Sequence, residues 1–330
     1  MDGLFDRDAT AALIQSGKRL LLAGDEALLA SLPRGNWIGG TIPYFMGREG
    51  GLRSTHHVYA AELPGGGGAG VYRYGPKGLP HIARHHPGHG FTVLLLPALS
   101  TVHRTFAENV ARYPGIFDRP LVGWIAGVAL EDVGKVAPKV FDGTTGESTA
   151  DQGVAMHVVL PPGQRASVTV VNLFAPDDGD AIVFPEGGFA ATTALVSGRP
   201  VRFAAYLAER MADTGLPLVT DRDGAMVNVS FKSVDPVAGV VSFFAPVLPG
   251  VEYRLAAPVR DFAERFAERF QPPAPEITFG CHCVLNYLYA RLEGRSLGRL
   301  LGPMAFGQVA YTLLNQSAIC LSIAPAGLRL

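Results

Sequence analysis

Cysteine is scarce: Cys281, Cys283 and Cys320 are the three in a chain of 330 residues. So few thiols exclude a disulfide framework at this length. Neither sign of charge dominates, since 28 Lys and Arg meet 29 Asp and Glu for a net charge of −1. That balance supplies no electrostatic reason to expect nucleic acid or an anionic membrane as partner. Long apolar runs are missing too. The longest, Val93 to Leu99, is interrupted by Pro97 and falls far short of the ~20 residues that span a bilayer. The opening Met1-Asp2-Gly3-Leu4-Phe5-Asp6 has no basic stretch leading into an apolar one, so no secretory signal is expected. No fixed-period repeat is visible, which excludes solenoids and propellers. Walker A, H-E-x-x-H and EF-hand patterns are also lacking, and the Trp37 stretch is not a G-x-G-x-x-G. These absences leave a soluble, reduced, cytoplasmic protein as the expectation.

What is present points to a folded chain. Hydrophobic residues make up 48%, ample for a core and too many for a disordered chain. The length suggests about two domains. Gly (40) and Pro (25) together form about a fifth of the residues, which predicts many turns and short strands.

The apolar spacing predicts an amphipathic helix over Asp8–Leu22 and a second over Asp25–Leu32, stopped by Pro33. A strand with paired glycines follows around Trp37. Gly65–Gly68 reads as a loop. The run Thr92–Leu96 reads as a buried strand, and Ser100 or Thr101 can cap the helix after it. Leu121–Gly127 is the next strand, so a βαβ crossover with two parallel strands is expected. Val154–Leu160 and Ser167–Phe174, joined by Pro161-Pro162-Gly163, suggest a hairpin. A helix over Phe203–Thr214 precedes strands at Ala225–Phe231, Val240–Phe244 and Val251–Leu255. Phe262, Phe266 and Phe270 share one stripe of a helix, ended by Gln271-Pro272-Pro273-Ala274-Pro275. Then come a strand at Glu276–Gly280, helices at Val284–Leu292 and Gly307–Leu314, and a strand at Ser317–Ile323.

Four constellations could carry chemistry. His81, His85 and His89 are spaced i, i+4, i+8, which on a helix would align three imidazoles for Zn²⁺ or another transition metal. Pro87 and Gly88 oppose a continuous helix, and an exposed polar loop is the alternative. His56 and His57 follow the Gly47–Gly51 loop. Neighbours on a strand face opposite ways, so one of them at most could serve as an axial haem ligand or general base. Phe279-Gly280-Cys281-His282-Cys283 lies at a strand-to-helix junction. If extended, both thiols share a face opposite His282; if the helix has begun, its N-terminus would lower a thiol pKa. Buried cysteine acting as a small hydrophobe is the alternative. Lastly, in Gly35-Asn36-Trp37-Ile38-Gly39-Gly40-Thr41 the glycines would let backbone N–H groups approach a ligand beside the Trp37 wall, or would mark a bulge.

Several segments resemble the FIST-domain family of intracellular sensory modules. They are Leu121-Val122-Gly123-Trp124-Ile125-Ala126-Gly127, Phe279-Gly280-Cys281, and Pro303-Met304-Ala305-Phe306-Gly307-Gln308-Val309 with Leu314-Asn315-Gln316-Ser317. The turn Pro246-Val247-Leu248-Pro249-Gly250-Val251 is also similar. The likeness runs over residues 90–323. The family's arginine after the cysteine is replaced by His282-Cys283, and its glutamate by Gln308.

The resemblance implies a mixed α/β (α+β) fold of two pseudo-related halves with helices flanking mixed sheets. They would span 1–190, with 1–90 an unmatched extension, and 191–330. It also implies a small-molecule sensor for amino acids or related metabolites, with a separate signalling protein or a second copy receiving the output. Some family members resemble haem-binding gas sensors. The expected ligand site joins Trp37, Gly39, Gly40 and Thr41 with Cys281, His282 and Asn315. Trp37 would stack, the glycine amides would hold a carboxylate or carbonyl, and His282 and Asn315 would orient the guest. A haem or divalent transition metal on His56, His57, His81, His85 or His89 is the second reading. An enzyme using a Cys281 thiolate with a histidine base is the third.

Overall fold

Asp6 accepts a hydrogen bond from the Ala9 amide at 2.7 Å and opens the first helix, Arg7–Gln15. This and all that follows come from a computed structural model, which describes residues 2–64, 67–222, 224–269 and 276–326. The helix is shorter than expected. Gly17 turns the chain with φ +79°, a conformation that favours glycine, and Leu20–Gly24 becomes a strand buried along its whole length. A strand covered on both faces has no alternation to distinguish it from helix. Asp25 caps the short helix Glu26–Ala30, which falls within the second expected helix; the first helix is capped by Asp6 and not by Asp8, the residue the sequence offered.

The fold is mixed α/β, with helices beside five sheets. The chain divides into two compact units. One comprises Met1–Val171, Ala263–Leu313 and Ala318–Leu330, and the other Asn172–Phe262 with Leu314–Ser317. The second unit therefore interrupts the sequence of the first at two places. The division expected at 190/191 falls inside it.

In the first unit, one sheet runs Asp2–Phe5, Val58–Glu62, Leu20–Gly24, Trp37–Thr41, Val140–Asp142, Glu147–Thr149. Leu20–Gly24 and Trp37–Thr41 pair in parallel. Ile14, Leu22, Leu29, Trp37, Val58 and Phe141 pack one of its cores. A second sheet contains Gln308–Ala310, Leu121–Ala126, Gly90–Pro97, Gly153–Val159 and Ala69–Tyr74 in that order. The βαβ crossover is present: Gly90–Pro97 and Leu121–Ala126 are parallel, with the helix Thr101–Asn109 between them in sequence. Ser100 caps it, its Oγ accepting from the His103 amide at 3.2 Å. A third sheet runs Gln164–Val171, Ala318–Pro325, Ile277–Cys283, Gly302–Ala305, Tyr44–Gly47, Gly50–Arg53.

Two expectations are corrected here. Gly153–Val159 and Gln164–Val171 do not form a hairpin; each pairs in a different sheet. The segment Gly307–Leu314 is not a helix but the strands Gln308–Ala310 and Thr312–Leu314, separated by Tyr311 at φ +60°. Its buried residues lie on both faces, which hides the period of two.

The second unit is antiparallel throughout its paired strands. Phe184 sits at its centre, edge-on to Phe203 at 5.1 Å, to Phe243 at 5.7 Å and to Tyr253 at 5.7 Å. Edge-to-face contact is the favoured aromatic geometry. The helix Phe203–Glu209 contributes Phe203, Tyr206 and Leu207 to this core. Residues 314–317 are held in the same unit through Gln316, whose Nε2 donates to the Gly215 carbonyl at 2.9 Å. Phe262 and Phe266 are buried. Gly65, Gly66, Phe270 and residues 271–275, named above for a loop and a helix stop, lie outside the described residues. No helix among the described residues is long and apolar enough to cross a membrane.

Candidate functional site

The glycines beside Trp37 serve the protein's own indoles. Trp37 is buried, and its Nε1–H donates to the Pro33 carbonyl at 2.9 Å. Its ring stacks against Phe141 at 6.3 Å. A Cβ at Gly39 would stand 3.2 Å from the Trp37 ring, and one at Gly40 would stand 2.9 Å from Trp124 Nε1. Thr41 Oγ1 accepts from the Lys139 amide at 3.0 Å. The space the sequence reserves with small residues is thus filled by tryptophan, which accounts for the paired glycines without a guest.

Cys281 and His282 occupy opposite faces of the strand Ile277–Cys283, which runs on to the start of the helix Val284–Tyr289. Burial pushes the Cys281 thiol well above its usual value. Helix-assisted lowering of a thiol pKa, one of the two geometries the sequence allows, does not operate at Cys281. The His282 Nε2–H donates to the Leu300 carbonyl at 2.9 Å. Burial lowers the imidazole to about 4, so it stays neutral. Asn315 belongs to the second unit, whereas the other six candidates belong to the first. Its Nδ2 donates to the Leu314 carbonyl at 3.2 Å.

The histidine groups disperse. His81, His85 and His89 are all exposed, and the segment Leu79–His85 is a 3₁₀ helix, whose three-residue turn does not align i with i+4. His56 and His57 are exposed, and His57 Nδ1 lies 2.8 Å from Ser54 Oγ. Among the described residues no group of three or more His, Cys, Asp or Glu is disposed to hold a metal ion.

Two features escape sequence reasoning. The first is a network in which the Tyr74 hydroxyl meets His85 Nδ1 at 2.7 Å and His157 Nε2 at 2.9 Å, while His157 Nδ1 meets Thr92 Oγ1 at 2.8 Å. Tyr72 stacks on His85 at 4.1 Å. Burial, reinforced by His86 and His85, lowers His157 to about 3. The register places His157 opposite Thr92, a pairing across 65 residues that no local pattern encodes.

The second is a cavity of about 650 Å³ lined by Asp2, Leu4, Phe5, Met46, Arg48 and Tyr59, among others. Asp2 and Leu4 project on one face of their strand, and the register sets Leu4 against Tyr59. The turn joining Tyr44–Gly47 to Gly50–Arg53 also lines it. Gly50, at φ +131°, lies so close to Gly294 that a Cβ would come within 2.5 Å of its carbonyl carbon. The Gly51 carbonyl accepts from the Gly294 amide at 2.8 Å. Glycine is required here to bring two backbones together, and the sequence signal for it is the Gly47–Gly51 loop itself.

The cavity sets an apolar wall of Leu4, Phe5, Met46, Leu52 and Leu301 beside three charged side chains, Asp2, Arg48 and Glu49. The Tyr59 hydroxyl is fully buried, and its proton has no acceptor among the described residues. Burial raises its pKa well above the phenol range, so it remains protonated. Burial also raises Asp2, against the opposing pull of Arg48.

Residues 5–324 match the family of unknown function DUF6976. No curated protein and no solved structure matches the chain.

Proposed function

The chain thus belongs to a family whose function is not established, and we propose that it is a cytoplasmic small-molecule-binding protein whose guest occupies the Asp2–Tyr59 cavity. The observation that carries this reading is about 650 Å³ of space whose lining sets Leu4, Phe5, Met46 and Leu301 beside the charged Asp2, Arg48 and Glu49. Apolar pockets of roughly 300–1,000 Å³ with few convergent polar groups are typical small-molecule sites. The cytoplasmic setting fits three buried cysteines that form no disulfide.

The sensory part of the proposal extends the FIST resemblance. The bound state would be passed to a separate signalling protein or a second copy. The test is native mass spectrometry of freshly purified protein, followed by titration of whatever co-purifies. The expected result is a bound small molecule whose affinity falls at least tenfold in Leu52→Trp, a substitution that fills the cavity. A guest bound equally well by Leu52→Trp would place binding elsewhere and end this reading.

A further inference from the structure

The network around His157 runs from the surface into a sheet, and its hydrogen bonds can point in two directions. His85 ends the 3₁₀ segment Leu79–His85 and is exposed. Tyr72 stacks on its ring at 4.1 Å, which fixes the plane of the imidazole and favours a positive charge on it. His85 Nδ1 meets the Tyr74 hydroxyl, that hydroxyl meets His157 Nε2, and His157 Nδ1 meets Thr92 Oγ1. His157 and Thr92 are buried on neighbouring strands. A hydroxyl has one proton to give, and a neutral imidazole has one donor and one acceptor.

With His85 neutral, one direction satisfies every group. Thr92 donates to His157 Nδ1, His157 Nε2–H donates to the Tyr74 oxygen, and Tyr74 donates to His85 Nδ1. A proton gained by His85 puts hydrogen on both of its nitrogens, so Nδ1 can only donate. Tyr74 must then turn its proton to His157 Nε2, and His157 must carry its own on Nδ1, because the partner of one ring nitrogen sets the tautomer. Thr92 Oγ1 has no other hydrogen-bond partner among the described residues, so its proton loses its acceptor and the far end of the network weakens.

We propose that Tyr74 makes the two histidines a tautomer relay: a proton taken up by His85 at the surface moves the ring proton of buried His157 from Nε2 to Nδ1, with no charge entering the sheet. Tyr74, His157 and Thr92 each hold one proton before and after; His85 alone gains one, from solvent. The His157 ring exchanges its proton during brief local openings, the route by which buried amides exchange. Burial, reinforced by His86 and His85, keeps His157 itself neutral. The titratable groups facing it are Tyr72, Tyr74, His85 and His86, and Asp118 and Arg119 act on His86. Those facing His85 are Tyr72, Tyr74 and His157.

Isotope labelling of histidine nitrogen in the full chain tests this. Long-range proton–nitrogen NMR spectra, read from pH 8.5 to pH 5, show which ring nitrogen carries the proton. Signals are assigned by their loss in His85→Gln and His157→Gln. His157 is expected to hold its proton predominantly on Nε2 at pH 8.5, and to shift it to Nδ1 in step with proton uptake at His85, its ring neutral throughout. In Tyr74→Phe, which removes the relaying hydroxyl, His157 should keep one tautomer across the range while His85 still titrates. A single His157 tautomer across the wild-type titration would overturn the relay, as would a His85 ring that stays neutral down to pH 5. A tautomer shift that persists in Tyr74→Phe would also overturn it, since the charge would then act through space. Should Tyr74→Phe fail to fold, the wild-type titration decides alone.

Discussion

The Tyr74 hydroxyl lies 2.9 Å from Nε2 of His157, a contact between residues 83 positions apart. It ties the strand Ala69–Tyr74 to the strand Gly153–Val159 through side chains, in addition to their backbone ladder. His157 is nearly inaccessible and has both ring nitrogens engaged, one with Tyr74 and one with Thr92. A neutral imidazole offers one donor and one acceptor, and each hydroxyl can take either role. The network is therefore complete while His157 is neutral, and a proton added to the ring would force both hydroxyls to accept.

Acid stability follows from the same group. Burial sets His157 at about 3, and His103 and His282 at about 4, whereas an unfolded histidine titrates near 6.5. These folded-state values are depressed. Their contribution to stability is therefore complete above about pH 6.5 and is lost as pH falls toward 4, where unfolding takes up protons. Urea unfolding from pH 7 to 4.5 should show a stability that declines with acid. In His157→Gln the slope should be shallower by up to about 1.4 kcal/mol per pH unit, one proton's worth. An unchanged slope would show that His157 is already protonated in the folded protein.

The thiols give a second check. Cys281, Cys283 and Cys320 are all buried and none forms a disulfide, and burial raises both Cys281 and Cys320. Reaction with a thiol-specific disulfide reagent requires exposed thiolate. All three should be silent in the native protein at pH 8 and react together in denaturant. One thiol reacting at once in the folded state would revive the cysteine-enzyme reading.

Legibility in the sequence follows the range of the interactions. The cap at Ser100, the crossover from Thr92 to Gly127 and the glycine turn at Gly47–Gly51 are local signals, and each is readable. Strands buried on both faces are harder. Leu20–Gly24 and Gln308–Ala310 show no alternation, and both read as helix from sequence. The candidate cavity depends on Leu4 meeting Tyr59 and on Gly50 meeting Gly294. Those pairings are set by tertiary register, to which no single segment's pattern refers. The Trp37 and His81–His89 motifs stand out because their residue types carry chemistry, while their surroundings give them packing and surface roles.

Gly143 tests the packing account of the tryptophan strand. A Cβ there would overlap the Trp37 ring, and that ring is fixed by its bond to Pro33 and its contact with Phe141. Gly143→Ala should therefore cost about 1–3 kcal/mol, as overpacking does, measured by chemical denaturation. Gly88→Ala is the matched control: its added methyl meets nothing within 4 Å, and a small stabilisation of up to about 1 kcal/mol is expected from the stiffer unfolded chain. Equal effects at the two sites would show that the indole yields.

Gln316 is the polar anchor of residues 314–317 in the second unit. Its Oε1 accepts from Ser230 Oγ at 2.7 Å, and its Nε2 donates to the Gly215 carbonyl at 2.9 Å. Its backbone carbonyl accepts from Asn228 Nδ2 at 3.1 Å. Gln316→Ala leaves the buried Ser230 hydroxyl without its partner and hands the Gly215 carbonyl to water, so the expected loss is about 1–3 kcal/mol. Ser230→Ala removes only one hydroxyl, and should cost about 1–2 kcal/mol. Because the two residues share a hydrogen bond, their effects should not add: once Gln316 is alanine, removing the Ser230 hydroxyl deletes an unsatisfied group rather than a bond. A double-mutant cycle measured by denaturation should give a coupling of about 1 kcal/mol. Simple additivity would mean that the Ser230–Gln316 bond contributes nothing, and that the contacts with Gly215 and Asn228 hold the segment.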